Sequence, residues 1–559
     1  MKGSCALAVL LGAVVAGFAA LATGQQAPTA PGPVAEAVRV HVVNVEVSVT
    51  GKDGRPVHGL KPEDFELLED GKVVPLTNFL APVPQERLTV APPAAPAPAE
   101  RAAVPDEEHQ RTLIVFIDDL NLTLQSRKPV LDRLDAFLSG RLGEGYRVLL
   151  LSFNRSLRQL TPLTGDPKVV AAALAELKHT ANEGTMARAQ RDRIVRDMGR
   201  PMAQEWGDAG QLAREEILDS TRSLAVEQAV LQRSLLGALT TLADSLSGMP
   251  GRKVVLFVSQ GIPFDPNADL FVEFGERFLG GQGQSLVRPE DRLMSFVRDV
   301  TLRANASRIT FYTINAGSEG GFGSSAEVQA PNASPLATND LLNRDLSLSE
   351  LTTGTGGLKL LNPEALETMA ADLETYYSLG YSPEHYGDGK YHALKVRVKQ
   401  AGVTARYREG YLDKTEEQRR ADRTTAALLA GGNDNPLGAR VGLGAPHREG
   451  RKKISVPLTL HIPARVLVLL DNGENREGKV SITIAVAKKN GSSSKVHHEV
   501  FPIKVPSRHL PAFLAQDATF TFTLLVEPGD TSVSVTARDE TGQIESVVVT
   551  DLAKTLEQS

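Results

Sequence analysis

Acidic, amide and hydroxyl side chains occur together in the run Asp118-Asp119-Leu120-Asn121-Leu122-Thr123. The run directly follows the apolar stretch TLIVFID, which is typical of a buried strand. Asp119, Asn121 and Thr123 alternate along it and carry the hard oxygen ligands that Mg²⁺ prefers in proteins. Because ligands of open α/β sheets bind beyond the carboxyl ends of the strands, the run predicts a cation site at such an edge. A vacant coordination position of the ion would there accept a carboxylate of a protein partner.

The same run allows two other interpretations. If Asp118 is the first ligand, the alternate positions behind it hold only Leu120 and Leu122. Alternatively, the two acids simply end the strand while Asn121 and Thr123 cap the next helix, as polar residues commonly do. In each case the edge of the sheet is the expected contact surface.

Strand-like and helical patterns alternate around this run. The apolar stretches TLIVFID, YRVLLLSF, KVVLFVS and RITFYTIN are separated by helical patterns near 126–139, 167–178 and 290–304. This alternation predicts an α/β fold with a mainly parallel sheet covered by helices. Two long loops rich in Gly and Ser, 262–289 and 316–343, are expected to leave strand ends on the same edge and to serve recognition.

A helical insertion of about residues 180–225 interrupts the alternation. Its first part is heavily charged and predicts a helical hairpin that projects from the α/β core. Leucines that recur every three, four or seven residues from Leu224 to Leu246 then predict one long amphipathic helix. The charged hairpin is a candidate for partner docking or for self-association.

The flanking segments predict β structure and linkers. Residues 36–80 alternate β-branched and polar residues and predict a small β module that pairs with strands in 375–412. Residues 81–110, rich in Pro and Ala, predict a linker, and 413–451 predict a second one. Repeated short strand patterns predict a β-sandwich over 452–553.

The D-x-N-x-T pattern of the run resembles the metal-ion-dependent adhesion site of von Willebrand factor A domains, whose usual first motif is D-x-S-x-S. The flanks DGRPVHGLKPEDFELLEDGK, GMPGRKVVLFVSQG and YYSLGYSP are similar to those of VWFA-related proteins of the acidobacterial type. This resemblance covers about 36–412. It implies a Rossmann-like von Willebrand factor A domain, residues 111–374 with the insertion, that binds a protein partner.

The resemblance also implies further ligands. The family's second-loop threonine falls on Thr164 or Thr161, and its T-D-G motif falls on Ser259-Gln260-Gly261. Gln260 therefore replaces an acid, and carboxylate count strongly affects affinity for such ions. The implied set is Asp119, Asn121, Thr123, Thr164 and Gln260, with Asp118, Thr161 and Ser259 as alternatives, for a degenerate site that binds Mg²⁺ weakly or not at all.

The first 24 residues predict a signal peptide and an extracytoplasmic location, in the periplasm, on the cell surface or secreted. Lys2 precedes an apolar run from Ala6 to Leu21 and a small-x-small stretch. Cys5, the only cysteine, lies in this segment, so no disulfide is expected in the mature chain. No later stretch predicts a membrane span, and a net charge of −6 without a basic tract argues against nucleic acid as a partner.

No catalytic residue and no organic cofactor site is predicted. The sequence has no HExxH, GxSxG or phosphate-loop GK[ST] motif, and two adjacent acids on a strand end diverge. We therefore expect a binding protein and not an enzyme. The alternative is a structural component of the cell envelope that assembles through its helical insertion and β-sandwich.

Overall fold

A computed structural model describes residues 42–82, 111–142, 146–204, 207–249, 251–287, 293–316, 335–361, 365–431, 434–450, 453–488 and 493–556. The predicted signal peptide and most of the predicted linker 81–110 lie outside these residues.

The strands are β1 (Val43–Gly51), β2 (Phe65–Glu69), β3 (Lys72–Val74), β4 (Asn78–Leu80), β5 (Arg111–Asp118), β6 (Tyr146–Phe153), β7 (Leu157–Gln159), β8 (Lys253–Ser259), β9 (Ile309–Asn315), β10 (Lys359–Leu360), β11 (Tyr376–Tyr381), β12 (Tyr391–Val398), β13 (Val403–Arg406), β14 (Gly410–Leu412), β15 (Arg440–Leu443), β16 (His447–Glu449), β17 (Lys453–Pro463), β18 (Leu470–Asn472), β19 (Asn475–Ala487), β20 (His497–Pro506), β21 (Asp517–Val526), β22 (Ser532–Asp539) and β23 (Ile544–Asp551). The α-helices are α1 (Leu124–Arg141), α2 (Pro167–His179), α3 (Glu183–Met198), α4 (Pro201–Gln204), α5 (Asp208–Leu246), α6 (Ala268–Phe278), α7 (Met294–Ala306), α8 (Pro335–Thr355), α9 (Leu366–Glu374), α10 (Glu416–Ala430), α11 (Leu510–Leu514) and α12 (Ala553–Leu556).

A six-stranded sheet in the order β10-β9-β8-β5-β6-β7 forms the centre of the α/β unit. All neighbours in it are parallel except β7, which runs antiparallel to β6. This is the order of a doubly wound sheet, in which the chain reverses its direction of travel beside the first strand. The predicted α/β class with a mainly parallel sheet is confirmed.

Strand β5 is apolar from Leu113 to Ile117 because helices cover both of its faces. Ile114 and Phe116 pack into the core formed with α5, α7 and α8. Leu113, Val115 and Ile117 point the other way, into the core formed with α1, α2 and α9. Successive side chains of a strand alternate between its faces, so the part of β5 that lies between the two cores is apolar on both faces and polar residues occur only near its ends.

Helix α5 contains the predicted amphipathic stretch, and its leucines from Leu224 to Leu246 are buried. The hairpin before it does not project freely, which corrects the prediction. The backbone N–H of Gly184, at the start of α3, donates to the carbonyl of Asp119 at 3.3 Å. A Cβ on Gly184 would lie 2.1 Å from the carbonyl oxygen of Leu122, so only glycine allows α3 to begin directly against the end of β5.

The two predicted recognition loops contain helices, which corrects a second prediction. Helix α6 lies within 262–289 and buries Leu270, Phe271 and Phe274. Helix α8 begins at Pro335, within 316–343, and continues to Thr355. The glycines and serines around these segments are typical of loops, so the sequence pattern did not predict the two helices.

Residues from both sides of the α/β unit form two four-stranded sheets, β13-β1-β11-β4 and β14-β12-β2-β3. Strand β1 pairs antiparallel with β11, with Val45 opposite Leu379. Strand β2 pairs antiparallel with β12, with Leu67 opposite Val396. Phe65 and Tyr377, whose ring centroids are 5.2 Å apart, belong to the shared core of this β module.

The C-terminal part consists of two antiparallel sheets, one with β15, β16, β17 and β21 and one with β18, β19, β20, β22 and β23, on one apolar core. The predicted linker 413–451 is structured, which corrects that boundary. Its helix α10 packs against α5 and β22, and its strands β15 and β16 pair with β17. Within the described ranges, no helix has the length and apolarity needed to cross a membrane.

Candidate functional site

The carboxylate of Asp118 lies at the centre of a buried group of hydrogen bonds at the carboxyl end of β5. Its Oδ2 accepts from Oγ of Ser259 at 2.6 Å and from Nδ2 of Asn121 at 2.8 Å. Its Oδ1 accepts from the backbone N–H of Asn121 at 3.2 Å. Strands β5 and β8 are neighbours, so their ends bring Asp118 and Ser259 together across the sheet.

Helix α5 closes this group with the amide of Gln232. Nε2 of Gln232 donates to Oδ1 of Asn121 at 2.7 Å, and Nδ2 of Asn121 donates to Oε1 of Gln232 at 3.1 Å. Nη1 of Arg344, from α8, lies 3.4 Å from Oδ1 of Asn121 and donates to the carbonyl of Gly261 at 3.2 Å. We call Asp118, Asn121, Gln232 and Ser259 the edge network.

Asp119 points away from the edge network and forms a buried ion pair. Its Oδ1 accepts from Nη1 of Arg127 at 3.0 Å, and the two side chains are only 4% and 1% exposed. Nη2 of Arg127 donates to the carbonyl of Thr180 at 2.5 Å. The strand alternation that turns Asp118 towards α5 turns Asp119 towards α1.

The three threonines have structural roles in the hydrogen bonds of the loops. Thr123 is the N-cap of α1 and its Oγ1 accepts from the backbone N–H of Ser126 at 3.4 Å. Oγ1 of Thr161 accepts from the backbone N–H of Leu150 at 3.1 Å. Thr164 forms a backbone bridge with Val148.

Gln260 is half-buried between Ser259 and Gly261. Gly261 has φ of 87°, and a Cβ there would lie 2.3 Å from the carbonyl oxygen of Arg344. The loop after β8 is therefore held tightly against α8. The structure thus brings Asp118, Asn121 and Ser259 together, and it separates Asp119 and Thr123 from them by giving each its own partner.

Burial raises the pKa of Asp118 to about 6, against the hydrogen bonds from Ser259 and Asn121, which lower it, and the nearby charge of Asp119 raises it further. The two adjacent acids therefore differ in charge balance. Asp119 has a guanidinium at contact distance, whereas the described residues that donate to Asp118 are neutral.

These residues, as arranged, do not fit a Mg²⁺ ion. Mg²⁺ requires near-octahedral oxygen ligands that keep several waters. The oxygens of Asp118 already accept hydrogen bonds from Ser259 and Asn121, and the carboxylate of Asp119 is bound to Arg127. An ion would have to displace these donors before it could bind. The degenerate Mg²⁺ site therefore stays a prediction.

Sequence reasoning missed Arg127, Gln232 and Arg344. Two of them left a signal. Arg127 lies on the face of α1 that buries Leu131 and Leu134, and Gln232 lies on the leucine stripe of α5. A polar residue on an apolar stripe needs a buried partner, which makes such positions worth pairing with other isolated polar groups. No sequence pattern pointed to Arg344, because it directly follows the segment 316–343 that was expected to be a loop.

No protein-family model matches the chain, and no curated protein matches it. Among solved structures, the chain is similar to the vWF domain of the type V pili tip protein Mfa5 from Porphyromonas gingivalis, with 12% identity, a TM-score of 0.23 and coverage of 47% of this chain and 94% of that one. It is also similar to the conserved hypothetical protein BatB from Bacteroides thetaiotaomicron, with 11% identity, a TM-score of 0.20 and coverage of 47% and 96%.

A third similar structure is proximal thread matrix protein 1 from the mussel byssus, with 12% identity and a TM-score of 0.21. The match covers 47% of this chain and 46% of that one, so the chain spans about half the length of that protein. The structural neighbours thus include von Willebrand factor A domains. Their identities and TM-scores are too low to add to what the strand order already says about the fold.

Proposed function

We propose that this protein is an extracytoplasmic binding protein, and that it contacts a protein partner through the helical insertion that covers the carboxyl edge of its central sheet. The observation that carries the proposal is the set of large apolar side chains that the insertion exposes. Met186 on α3 is 62% exposed, and Val226 and Val230 on α5 are 47% and 53% exposed. Exposed apolar side chains close together are a feature of protein interaction surfaces.

These side chains lie on two helices that one arginine joins. Arg155 joins α3 and α5, because its Nε lies 2.8 Å from Glu183 and its Nη2 lies 2.8 Å from Glu227. Met186 is one helical turn from Glu183, while Val226 and Val230 flank Glu227 on α5. The resulting surface has an apolar part and a charged rim, as protein interfaces have.

The proposal includes neither a metal nor catalysis. The edge network and the Asp119–Arg127 pair satisfy the polar groups at the strand ends from within the chain. Ser259 donates to Asp118 and accepts from the backbone N–H of Gly261, so these contacts give it the geometry of a structural hydroxyl.

The test is a pull-down with the full exported chain, with and without chelator, using the wild type and the variant Val226→Asp/Val230→Asp. We expect the double substitution to abolish capture of the partner, because two charges would have to be buried at the interface. Val73→Asp is the matched control, since Val73 is 62% exposed but lies on β3 of the β module. Equal capture by the double variant and the control would overturn the proposal.

The absence of a Mg²⁺ site from the proposal is tested separately. Mg²⁺ added to chelator-treated protein should leave the melting temperature unchanged, since an ion that does not bind the native state cannot stabilise it. A rise in melting temperature that Asp119→Ala abolishes would instead restore the metal-dependent site.

A structural role in the envelope is the second candidate, because the same exposed apolar side chains could join copies of this chain. Light scattering separates the two roles. Oligomers that dissolve in Val226→Asp/Val230→Asp would assign the surface to self-association.

A further inference from the structure

We propose that Glu69, His385 and His392 bind a Zn²⁺ ion in the β module. One ligand atom from each of the three side chains lies within 4.8 Å of the others. Imidazole nitrogens and carboxylate oxygens are common protein ligands of zinc, and three of them with one open position form a known type of zinc site. We call these three residues, with Asp70, Asp388 and Asp413 around them, the histidine cluster.

A carboxylate lies at hydrogen-bond distance from Nδ1 of each imidazole. Nδ1 of His385 lies 2.9 Å from Oδ2 of Asp413, and Nδ1 of His392 lies 2.8 Å from Oδ2 of Asp70. Metal-binding histidines usually have such a partner on the second ring nitrogen, because it fixes the tautomer that leaves Nε2 with a lone pair. Asp413 is itself fixed, since its side chain is fully buried and accepts from Arg419 at 2.9 Å.

The Nε2 atoms of the two rings both face carboxylates, but they differ in hydrogen bonding. Nε2 of His385 is buried, makes no hydrogen bond with the described residues and lies 3.3 Å from Oε1 of Glu69. Nε2 of His392 forms a hydrogen bond with Oδ1 of Asp388 at 3.3 Å, and an ion at this nitrogen would replace that contact. At His385, a buried ring nitrogen beside an anionic oxygen, without a hydrogen bond between them, is the arrangement that a cation between the two atoms would complete.

The charge of the histidine cluster also favours a dication. Four carboxylates, those of Glu69, Asp70, Asp388 and Asp413, surround the two imidazoles, and Arg419 pairs with one of them. The carboxylates therefore outnumber the guanidinium, and a divalent cation would balance part of this negative charge.

His385 is the ligand that has to move when the ion binds. The two rings are stacked at 3.8 Å between centroids with an interplanar angle of 11°, so their lone pairs lie in separate, nearly parallel planes. His392 is fixed on β12 and Glu69 on β2, whereas His385 lies in the connection between β11 and β12. Hydroxyls of Tyr381 and Tyr411 donate to Oε1 of Glu69 at 2.5 and 2.7 Å, which fixes the carboxylate oxygen that lies beside Nε2 of His385.

The ion would clamp the β module across a large gap in the sequence. Glu69 precedes the α/β unit, whereas His385 and His392 follow it, so one ion would tie the two ends of that unit together. Metal binding of this kind adds its free energy to folding. The fourth position is left for water or for a side chain of a binding partner.

The test is a Zn²⁺ titration of the chelator-treated full chain, followed by calorimetry and by thermal unfolding. We expect one Zn²⁺ per chain, a higher melting temperature and, with Co²⁺ as the probe, the visible absorption of a four-coordinate site. Binding should weaken as pH falls, because protons compete with the ion for the imidazole nitrogens.

Two substitutions test proposed ligands, and two others are controls. His385→Gln and His392→Gln should each abolish stoichiometric binding, while His447→Gln, an exposed histidine on β16, should not change it. Asp118→Asn should also leave binding unchanged, since it lies in the edge network. If His392→Gln fails to fold, as circular dichroism would show, His385→Gln decides, because His385 lies in a connection. Zn²⁺ binding that persists in His385→Gln, or no binding by the wild type, would overturn the proposal.

Discussion

The edge network and the histidine cluster contain similar ligand types but differ in how the chain satisfies them. In the edge network, each carboxylate oxygen of Asp118 accepts a hydrogen bond from Ser259 or Asn121, and a guanidinium neutralises the neighbouring Asp119. In the histidine cluster, carboxylates outnumber guanidinium groups, and the buried Nε2 of His385 has no hydrogen bond among the residues that the structure describes. Residue types at metal-ligand spacing therefore do not define a site. Unbalanced charge and unsatisfied atoms are the better guide.

The largest effect is expected from Arg127→Met, which tests whether Arg127 is the counter-ion that the buried carboxylate of Asp119 requires. The substitution would leave Asp119 buried without its counter-ion, which costs about 3–5 kcal/mol. Hydrogen exchange of β5 and α1 would report the loss of stability. Arg303→Met is the control, because its partner Asp244 is half-exposed and such pairs are worth about 0–1 kcal/mol. Equal effects of the two substitutions would contradict the interpretation of Asp119.

The second prediction concerns the pH dependence caused by Asp118. Its pKa is raised in the folded protein to about 6, so the protonated acid is the form that folding favours. The stability it contributes is fully present below about pH 4 and is lost as pH rises through 6, a change of about 3 kcal/mol. Urea unfolding across this range should show a slope in the wild type that Asp118→Asn removes. A slope retained by Asp118→Asn would assign it to other groups.

A smaller effect is expected from Gly184→Ala, which tests whether the insertion is seated on the strand end. The added Cβ would meet the carbonyl of Leu122 at 2.1 Å, and overpacking of this kind costs about 1–3 kcal/mol. Amides of residues 119–124 and of α3 should exchange faster. Gly237→Ala is the matched control, because nothing lies within 4 Å of its Cβ position and the helix should gain about 0.5–1 kcal/mol. Unchanged exchange in Gly184→Ala would show that α3 is not seated there.

The smallest effect is expected from Arg155→Ala, which removes the link between α3 and α5. Arg155 is 57% exposed, so its pairs with Glu183 and Glu227 are screened by salt. The start of α3 should lose protection at low ionic strength, and wild type and variant should converge at about 1 M salt. A difference that persists in high salt would mean that packing, and not charge, is lost.

The sequence predicted the elements better than it predicted the site. The strand TLIVFID, the helix near 167–178 and the leucine stripe of α5 lie where their periodicity places them, because burial on one or both faces imposes that periodicity. Helices α6 and α8 were missed because glycine and serine around them are typical of loops. The sequence places Asp118, Asn121 and Ser259 at strand ends, but it leaves open whether Asp118 or Asp119 is the first ligand.

What the sequence determined by itself is the order of strands and helices and the position of polar residues where strand β5 ends. Only the tertiary structure decided what those residues do, because their partners lie far away in the chain: Gln232 is 111 residues from Asn121, and Ser259 is 141 residues from Asp118. The histidine cluster depends even more on the fold, since His392 and Asp70 are 322 residues apart. Periodicity reports local burial, whereas a site depends on contacts between distant segments, and those contacts decide whether a polar group is already satisfied.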